Sequence, residues 1–462
     1  MLILTGLITR VSDQWSLMSE FIAFRHQKEN YMKRLAVMLI VMASVMAMVF
    51  AGGTSESAKT AEQSGPVKLT WWCISSQADF YKARAEEWNK QNPDRQIELD
   101  AVGVGGSDRQ TKLLVAIQTG KGAPDFCDVN VTAFGTFFDY DKVPFVELTD
   151  LVAEDKDKFV QAKLDIYSTD GKLYGAPSQL GGTVVYYNTE IMNAAGVDYN
   201  AIKTWKDYEE AGKAVTAKTG KPMTVIETTD MAPFQSMVLE KGSDFIDENG
   251  NVILDSDENI AILEYLKSWV DEGIASPMPG GGNASEVFYE FFNKGGCASI
   301  ILPMWYMDRL QAYMPDLYGK IAVRPMPLWE EGERWTTACT GGNGAVISDQ
   351  CKYPELAKDF LYFCKMSKDA QLQCYEMLGY DPYRTDCWDD PKLQINMPYF
   401  SNENVFAIVG PSLKEANAIN NTSLVPTAFN EVSSKVMYNV FETKTMSPAE
   451  ALRSSAAALR NN

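Results

Sequence analysis

The sequence predicts an α/β protein of two lobes, each a mostly parallel sheet flanked by helices, with the chain passing between them three times. Strand-like and helix-like segments alternate from Val67 to Val131 and again from Thr183 to Met326, the order that produces parallel sheets wrapped by helices. Three extended stretches broken by Gly or Pro separate these blocks and supply the crossings: Gly171–Asn188, Thr336–Ile347 and Tyr375–Thr385. Gly permits unusual backbone angles and Pro removes a donor, so the chain can change direction in each.

In the first block, Val67 to Trp72 reads as a strand. Phe80, Arg84, Glu87 and Trp88 then fall at helical spacing over Asp79–Gln91, a helix that Asn92-Pro93 ends. Ile97–Val102 is a second strand. After the glycine-rich 103–107 turn, Asp108–Thr119 places Leu113, Leu114 and Ile117 on one side and stops at Gly120. Pro124-Asp125-Phe126 opens a third strand reaching Val131, and Phe145–Asp150 is a short extended piece.

The β-branched and aromatic run Thr183–Tyr187 is a buried strand, and a helix from Glu190 to Ala195 stops at Gly196. Thr204 caps the helix that begins at Trp205, and Met223–Ile226 is a strand ending near Glu227 and Asp230. The long helix Asn259–Gly273 turns Ile262, Leu266, Trp269 and Val270 inward. Ser285–Asn293, Ala298–Leu302 and Ile321–Met326 follow as helix, strand and strand; Glu355–Met366 is a helix, and Pro448 starts a last amphipathic helix to Arg460.

The 462 residues allow two or three domains. Lys33-Arg34, sixteen uncharged residues from Leu35 to Phe50, and Ala51-Gly52-Gly53 have the order of an export signal cleaved after Ala51; a retained membrane anchor is the alternative. Asp13, Glu20 and Glu29 are out of place ahead of such a signal, so Met32 is the candidate initiator. Residues 52–65 form a polar, disordered linker. No Cys lies between Leu35 and Ser64, so a lipid-anchored Cys is unavailable there and release into the periplasm is expected.

Removing residues 1–51 takes the net charge from −19 to −21, which disfavours nucleic acid and anionic membranes. It also removes His26, the only histidine, and with it Ser-His-Asp and Cys-His catalysis and any His-based metal site. No cofactor is expected. The eight cysteines are widely spaced, without a CxxC, and read mostly as buried apolar residues with room for one or two bridges among residues 339 to 387.

Five pieces in order, GKGAPDF, KLYGAPSQLGGTVVYYNTEIMNAAGVD with TWKDYEEAGKAVT, FNKGGCASIILPMW, TGGNGAVISDQCKYPELAKDFLYF and SPAEAL, resemble the sugar-binding group of the extracellular solute-binding proteins of ABC importers, the group that includes maltose-binding protein. The resemblance covers nearly everything from Val67 to Leu459. It implies a type II periplasmic-binding-protein fold, with residues 66–177 and 341–378 in lobe 1 and 178–340 and 379–462 in lobe 2. It also implies a monomer that closes on a sugar of two or more units and docks to a membrane permease, performing no covalent chemistry. By position, the ligand contacts it implies are Trp72, Asn130, Gln179, Trp305, Gly342, Asn343 and Arg384.

A sugar presents hydroxyl rims and weakly positive C–H faces, so its site needs flat aromatic rings and amide, carboxylate or guanidinium forks. Trp72 and Trp305 end segments that face the crevice beyond the strands, whereas Trp71 points to the other sheet face and Trp88, Trp205 and Trp269 lie on core-facing helix sides. For Asn130, Gln179, Asn343 and Arg384 the plain alternative is loop capping. Glu227 and Asp230, after a second-lobe strand, are further candidates whose alternative is a solvated loop. Gly280-Gly281-Gly282 is a loop, and the adjacent carboxylate pairs are solvated faces, not the opposed pair that a glycosidase needs. The rival readings are a secreted carbohydrate-cleaving enzyme using Asp and Glu, or a binder of polyols, glycerol phosphates or polyamines.

Overall fold

The computed structural model describes residues 65–461. The export signal, the Met32 start and all of the linker but Gly65 lie outside the described residues. Within them, the first lobe is laid down in the expected order: β1 (Val67–Cys73), α1 (Ala78–Gln91), β2 (Ile97–Gly103), α2 (Gly106–Thr119) and β3 (Phe126–Asn130). The chain leaves along β4 (Ala176–Pro177) and enters the second lobe as β5 (Thr183–Asn188), followed by α3 (Thr189–Ala195) and α4 (Trp205–Thr219). Asn188 caps α3 through its side-chain oxygen, and Thr204 with Asp207 forms a reciprocal capping box on α4. There follow β6 (Thr224–Ile226), α5 (Asp257–Asp271), β7 (Ala275–Pro277), α6 (Glu286–Asn293), β8 (Ser299–Pro303), α7 (Tyr306–Tyr313) and β9 (Ile321–Pro325). Then come β10 (Thr337–Cys339), β11 (Asn343–Ile347), α8 (Pro354–Leu361), α9 (Lys368–Leu378), β12 (Ala416–Ala418) and α10 (Pro448–Arg460).

The first-lobe sheet has the order β2-β1-β3-β11-β4, and the main second-lobe sheet the order β8-β5-β9. Strands β1, β2 and β3 are parallel, but β11 runs antiparallel to β3. In the second lobe, β5 runs antiparallel to both neighbours, so this sheet is not the mostly parallel one expected. The cause is the same in both places. Strands native to a lobe end at the cleft, whereas β5 and β11 arrive from the other lobe and start there: Thr183 opens β5 opposite Pro303, and Asn343 opens β11 opposite Asn130.

The three broken stretches meet at the joint. Asp381, fully buried, accepts hydrogen bonds from the backbone N–H groups of Gly181 (3.0 Å) and Gly182 (2.8 Å), while its own carbonyl accepts from Leu180 N (2.9 Å). Thr340 N donates to Gly181 O at 2.9 Å and ties in the remaining stretch. Glycine is required here: Gly181 has φ +78°, and a Cβ on Gly182 would lie 2.3 Å from Leu413. The third stretch stays beside first-lobe residues through Arg384, which bridges Phe159, and the chain beyond it reaches second-lobe strand β9 where Ser401 donates to Ile321 O and Glu403 pairs with Arg324.

Trp71 is fully buried, stacked on Tyr81 at 3.9 Å and Phe126 at 4.6 Å, with its indole N–H on Asp128. Trp88, Trp205 and Trp269 are likewise buried. None of the eight cysteines is paired. Seven are buried and Cys351 is half-buried, and burial pushes the Cys339 and Cys364 thiols up to about 12, so both are protonated and inert at neutral pH. No helix among the described residues is long and apolar enough to cross a membrane.

Candidate functional site

A cleft of about 410 Å³ opens where the strand ends of both lobes face each other, within the size range of small-molecule sites. Its floor is the joint: Gln179 beyond β4, Gly342 and Asn343 at the start of β11, and Asn130 at the end of β3. One wall comes from the first lobe, with Ile74 to Ser76 beyond β1 and Val104 to Gly106 beyond β2. The other comes from α6 and α7, with Tyr289, Trp305, Asp308, Arg309 and Tyr313; Tyr380 closes one end.

Arg109 lies beneath the floor as a spent clamp. Its Nε donates to Asp128 O at 2.6 Å, Nη1 to Val104 O at 2.8 Å and Nη2 to Asn343 Oδ1 at 3.0 Å, so it locks three strand ends and orients the Asn343 amide. Asn130 commits its side-chain oxygen to Thr132, accepting from its N–H at 2.9 Å and its hydroxyl at 2.7 Å. Gln179 is different. It is 3 % exposed, and its Oε1 has no hydrogen-bond partner, a buried acceptor at the floor of a polar cleft.

On the second-lobe wall, Trp305 donates its indole N–H to Thr340 O at 3.3 Å, and the Arg309 guanidinium lies over its ring at 5.1 Å. Tyr289 and Tyr313 stack in parallel, centroids 4.8 Å apart, and Tyr313 is 56 % exposed. Burial raises the Asp308 carboxyl, opposed by the charge of Arg309 and a hydrogen bond with Ser76 from the opposite wall. The cleft therefore offers aromatic faces, amide groups and backbone, with Asp308 as the lone carboxylate among its lining residues. No group of three or more potential metal ligands occurs among the described residues.

A family model, that of the bacterial extracellular solute-binding proteins, matches residues 74–368. The chain belongs to this family. The solute-binding protein is 38% identical over 434 residues, 93% of its own chain and all of the relative, to the arabinooligosaccharide-binding protein of Bacillus subtilis. It is 41% identical over 404 residues, 86% of its chain and 90% of the relative, to the arabinooligosaccharide-binding protein of Halalkalibacterium halodurans. Among solved structures, the ABC transporter associated binding protein of B. animalis subsp. lactis, in complex with β-1,6-galactobiose, has the same fold: TM-score 0.72, 21% identity, covering 86% of this chain and 97% of that one. As a member of an exported family of binding proteins, the chain is a binder and not an enzyme.

Of the residues named from sequence, the solute-binding protein brings Asn130, Gln179, Trp305, Gly342 and Asn343 to one cleft. It does not bring the others there. Strand β1 runs one residue past Trp72, which packs half-buried against the core, and the cleft wall begins at Ile74. Glu227 is fully buried, accepting from Ala232 N at 2.6 Å and from the Asn283 side-chain amide at 2.6 Å; burial and the charge of Asp230 push it up to about 8. Asp230 is exposed and does not line the cleft; desolvation by the surrounding protein raises its carboxyl, opposed by the Met231 N–H and the charge of Arg309.

Arg384 is a structural cation. It is 4 % exposed, pairs with Asp155 at 2.6 Å and Asp386 at 2.8 Å, and donates to Met366 O at 3.1 Å, so its fork has nothing left for a ligand. Replacing it with alanine is expected to cost about 3 kcal/mol of stability, because it removes the guanidinium's bonds to Asp155 and Asp386 and leaves the buried Met366 carbonyl without this donor, while leaving ligand affinity unchanged. Asp155 is held well below the usual carboxylate range by Lys158 and then Arg384. Its contribution is present above the unfolded carboxylate pKa and fades as pH falls toward the folded value. The penalty of Arg384→Ala should therefore shrink below about pH 4, as urea midpoints at neutral and acid pH would show.

Sequence reasoning missed Arg109, Asp308, Arg309 and the Tyr289–Tyr313 pair. Signals for some of them were present. Arg109 shares the buried face of α2 with Leu113 and Ala116, an unusual place for a cation. Trp305, Asp308 and Arg309 stand at i, i+3 and i+4, the spacing of one helix face.

Proposed function

We propose that this protein captures an arabinose-containing oligosaccharide of two or more units between its lobes and delivers it to the permease of an ABC importer. The observation that carries the reading is the cleft, with Gln179 Oε1 unpartnered on its floor and aromatic faces on one wall. Such an acceptor is costly to bury empty-handed and is satisfied by a sugar hydroxyl, while rings present the flat surface that C–H faces require. The arabinose assignment rests on the names of the two relatives. Ligand touching both walls favours the closed arrangement, so binding shifts the populations of open and closed forms and presents a surface to the permease. Asp308 alone cannot supply the opposed carboxylate pair of a glycosidase. On this reading the chain works as a monomer in the periplasm after loss of residues 1–51, which amino-terminal sequencing and light scattering of the exported protein test.

Thermal unfolding against a ligand panel tests the function. A ligand at a hundred times its Kd should add about 2.7 kcal/mol of stability, and arabinobiose and arabinotriose are expected to raise Tm more than galactobiose, maltotriose, glycerol phosphate or spermidine. A shift by maltotriose alone would displace arabinose and keep sugar capture. A shift by spermidine alone would overturn both.

A further inference from the structure

The cleft wall has a support behind it that reaches Glu227. The loop before α6 is held against the residues after β6: Thr228 N and Thr229 N both donate to Gly281 O, at 2.8 and 3.0 Å, and Met278 N donates to Ile226 O at 2.8 Å. This brings Asn283 onto the buried Glu227, whose Oε1 accepts from the Asn283 backbone N–H at 3.2 Å and its side-chain amide at 2.6 Å. The amide's other end, Oδ1, accepts from Arg309 Nη1 at 2.7 Å, and the Asn283 carbonyl accepts from the Tyr306 hydroxyl at 2.9 Å. Arg309 in turn lies over Trp305 at 5.1 Å and Tyr306 at 5.8 Å.

We infer that Glu227 and Asn283 are positioning residues that hold the Arg309 guanidinium over the Trp305 indole, so that the second-lobe wall is preset before ligand enters. Neither reaches the cleft; both act through Arg309, which does. An arginine on a half-exposed helix face has many rotamers, and fixing one of them in advance removes an ordering cost that binding would otherwise bear. Asn is suited to the middle position because one end of its amide donates to a carboxylate while the other accepts from a guanidinium. Aspartate there would offer Glu227 no side-chain N–H, and leucine would leave Arg309 Nη1 without this acceptor and Glu227 Oε1 with the backbone N–H alone.

One arm of the test needs no ligand. The fluorescence of Trp305, taken as the difference between the protein and its Trp305→Phe variant, is expected to shift in Asn283→Ala as it does in Arg309→Ala, read at a temperature where each variant is folded. The second arm rests on the proposed function and uses arabinotriose as the probe in calorimetry. Asn283→Ala should weaken binding about tenfold, the size of a lost hydrogen bond to a charged group, and should cost nothing further in an Arg309→Ala background. Glu227→Gln, which keeps an acceptor for Asn283, should retain affinity that Glu227→Ala loses. An unchanged Trp305 signal in Asn283→Ala, or additive losses in the double variant, would overturn the inference. Failure of arabinotriose to bind the unaltered protein would overturn the proposed ligand and leave the fluorescence arm to decide the support.

Discussion

Replacing Trp305 by alanine is expected to weaken oligosaccharide binding by about 2 kcal/mol or more, the cost of truncating a central aromatic anchor. The indole is half-buried on the second-lobe wall, fixed by its N–H to Thr340 O, by the Arg309 guanidinium over its face and by the Tyr306 ring packed edge-on at 5.8 Å. Truncation removes the largest flat surface in the cleft and takes away the platform on which Arg309 rests. It also leaves the Thr340 carbonyl at the joint without its donor. Because the ring lines a cleft and is not sealed in a core, melting of the free protein should change little, so calorimetry reads the loss as binding. An unchanged affinity would remove Trp305 from the site.

Replacing Asp381 by alanine is expected to destabilise the protein by about 3–5 kcal/mol, the range for breaking a buried charged interaction. Its carboxylate is the shared acceptor for Gly181 N–H and Gly182 N–H, both buried. Burial raises the Asp381 carboxyl, while those two N–H groups and the ammonium of Lys163 pull it back down. Lys163 is itself fully buried, its pKa lowered by desolvation, and donates to Gly341 O at 3.3 Å. Alanine would leave two N–H groups orphaned and that ammonium without its counter-charge. The urea midpoint measures the loss. A change under about 1 kcal/mol would mean that water replaces the carboxylate and that the joint is held by its backbone bonds alone.

Much of the architecture was legible along the chain because it is written in local chemistry. The Thr204 cap, the Gly120 and Gly196 stops and the run Thr183–Tyr187 each act within a few residues, and each lies where the sequence pattern put it. Strand direction in the second lobe was not legible. Whether β5 runs with or against β8 depends on which lobe the chain has just left, a fact about paths through space. The same limit separates the site residues that gathered from those that did not. Gln179, Asn343 and Trp305 adjoin strand ends or breaks, positions that topology sends to the cleft. Arg384 also follows a break, but Asp155, more than two hundred positions earlier, captures it, and Asn283 holds Glu227 away from the cleft in the same manner.

By itself, then, the sequence determined the class of fold, the helix ends, the three broken stretches that become the joint, and a strongly acidic net charge, because composition, periodicity and capping act over short range. Only the tertiary structure decided which charged side chains are spent on one another and which polar atoms remain open to a guest. Burial and hydrogen-bond pairing are properties of groups distant in the chain and adjacent in space, so Arg109 and Arg384 close in on themselves while Gln179, at the cleft floor, is left with an unpaired acceptor.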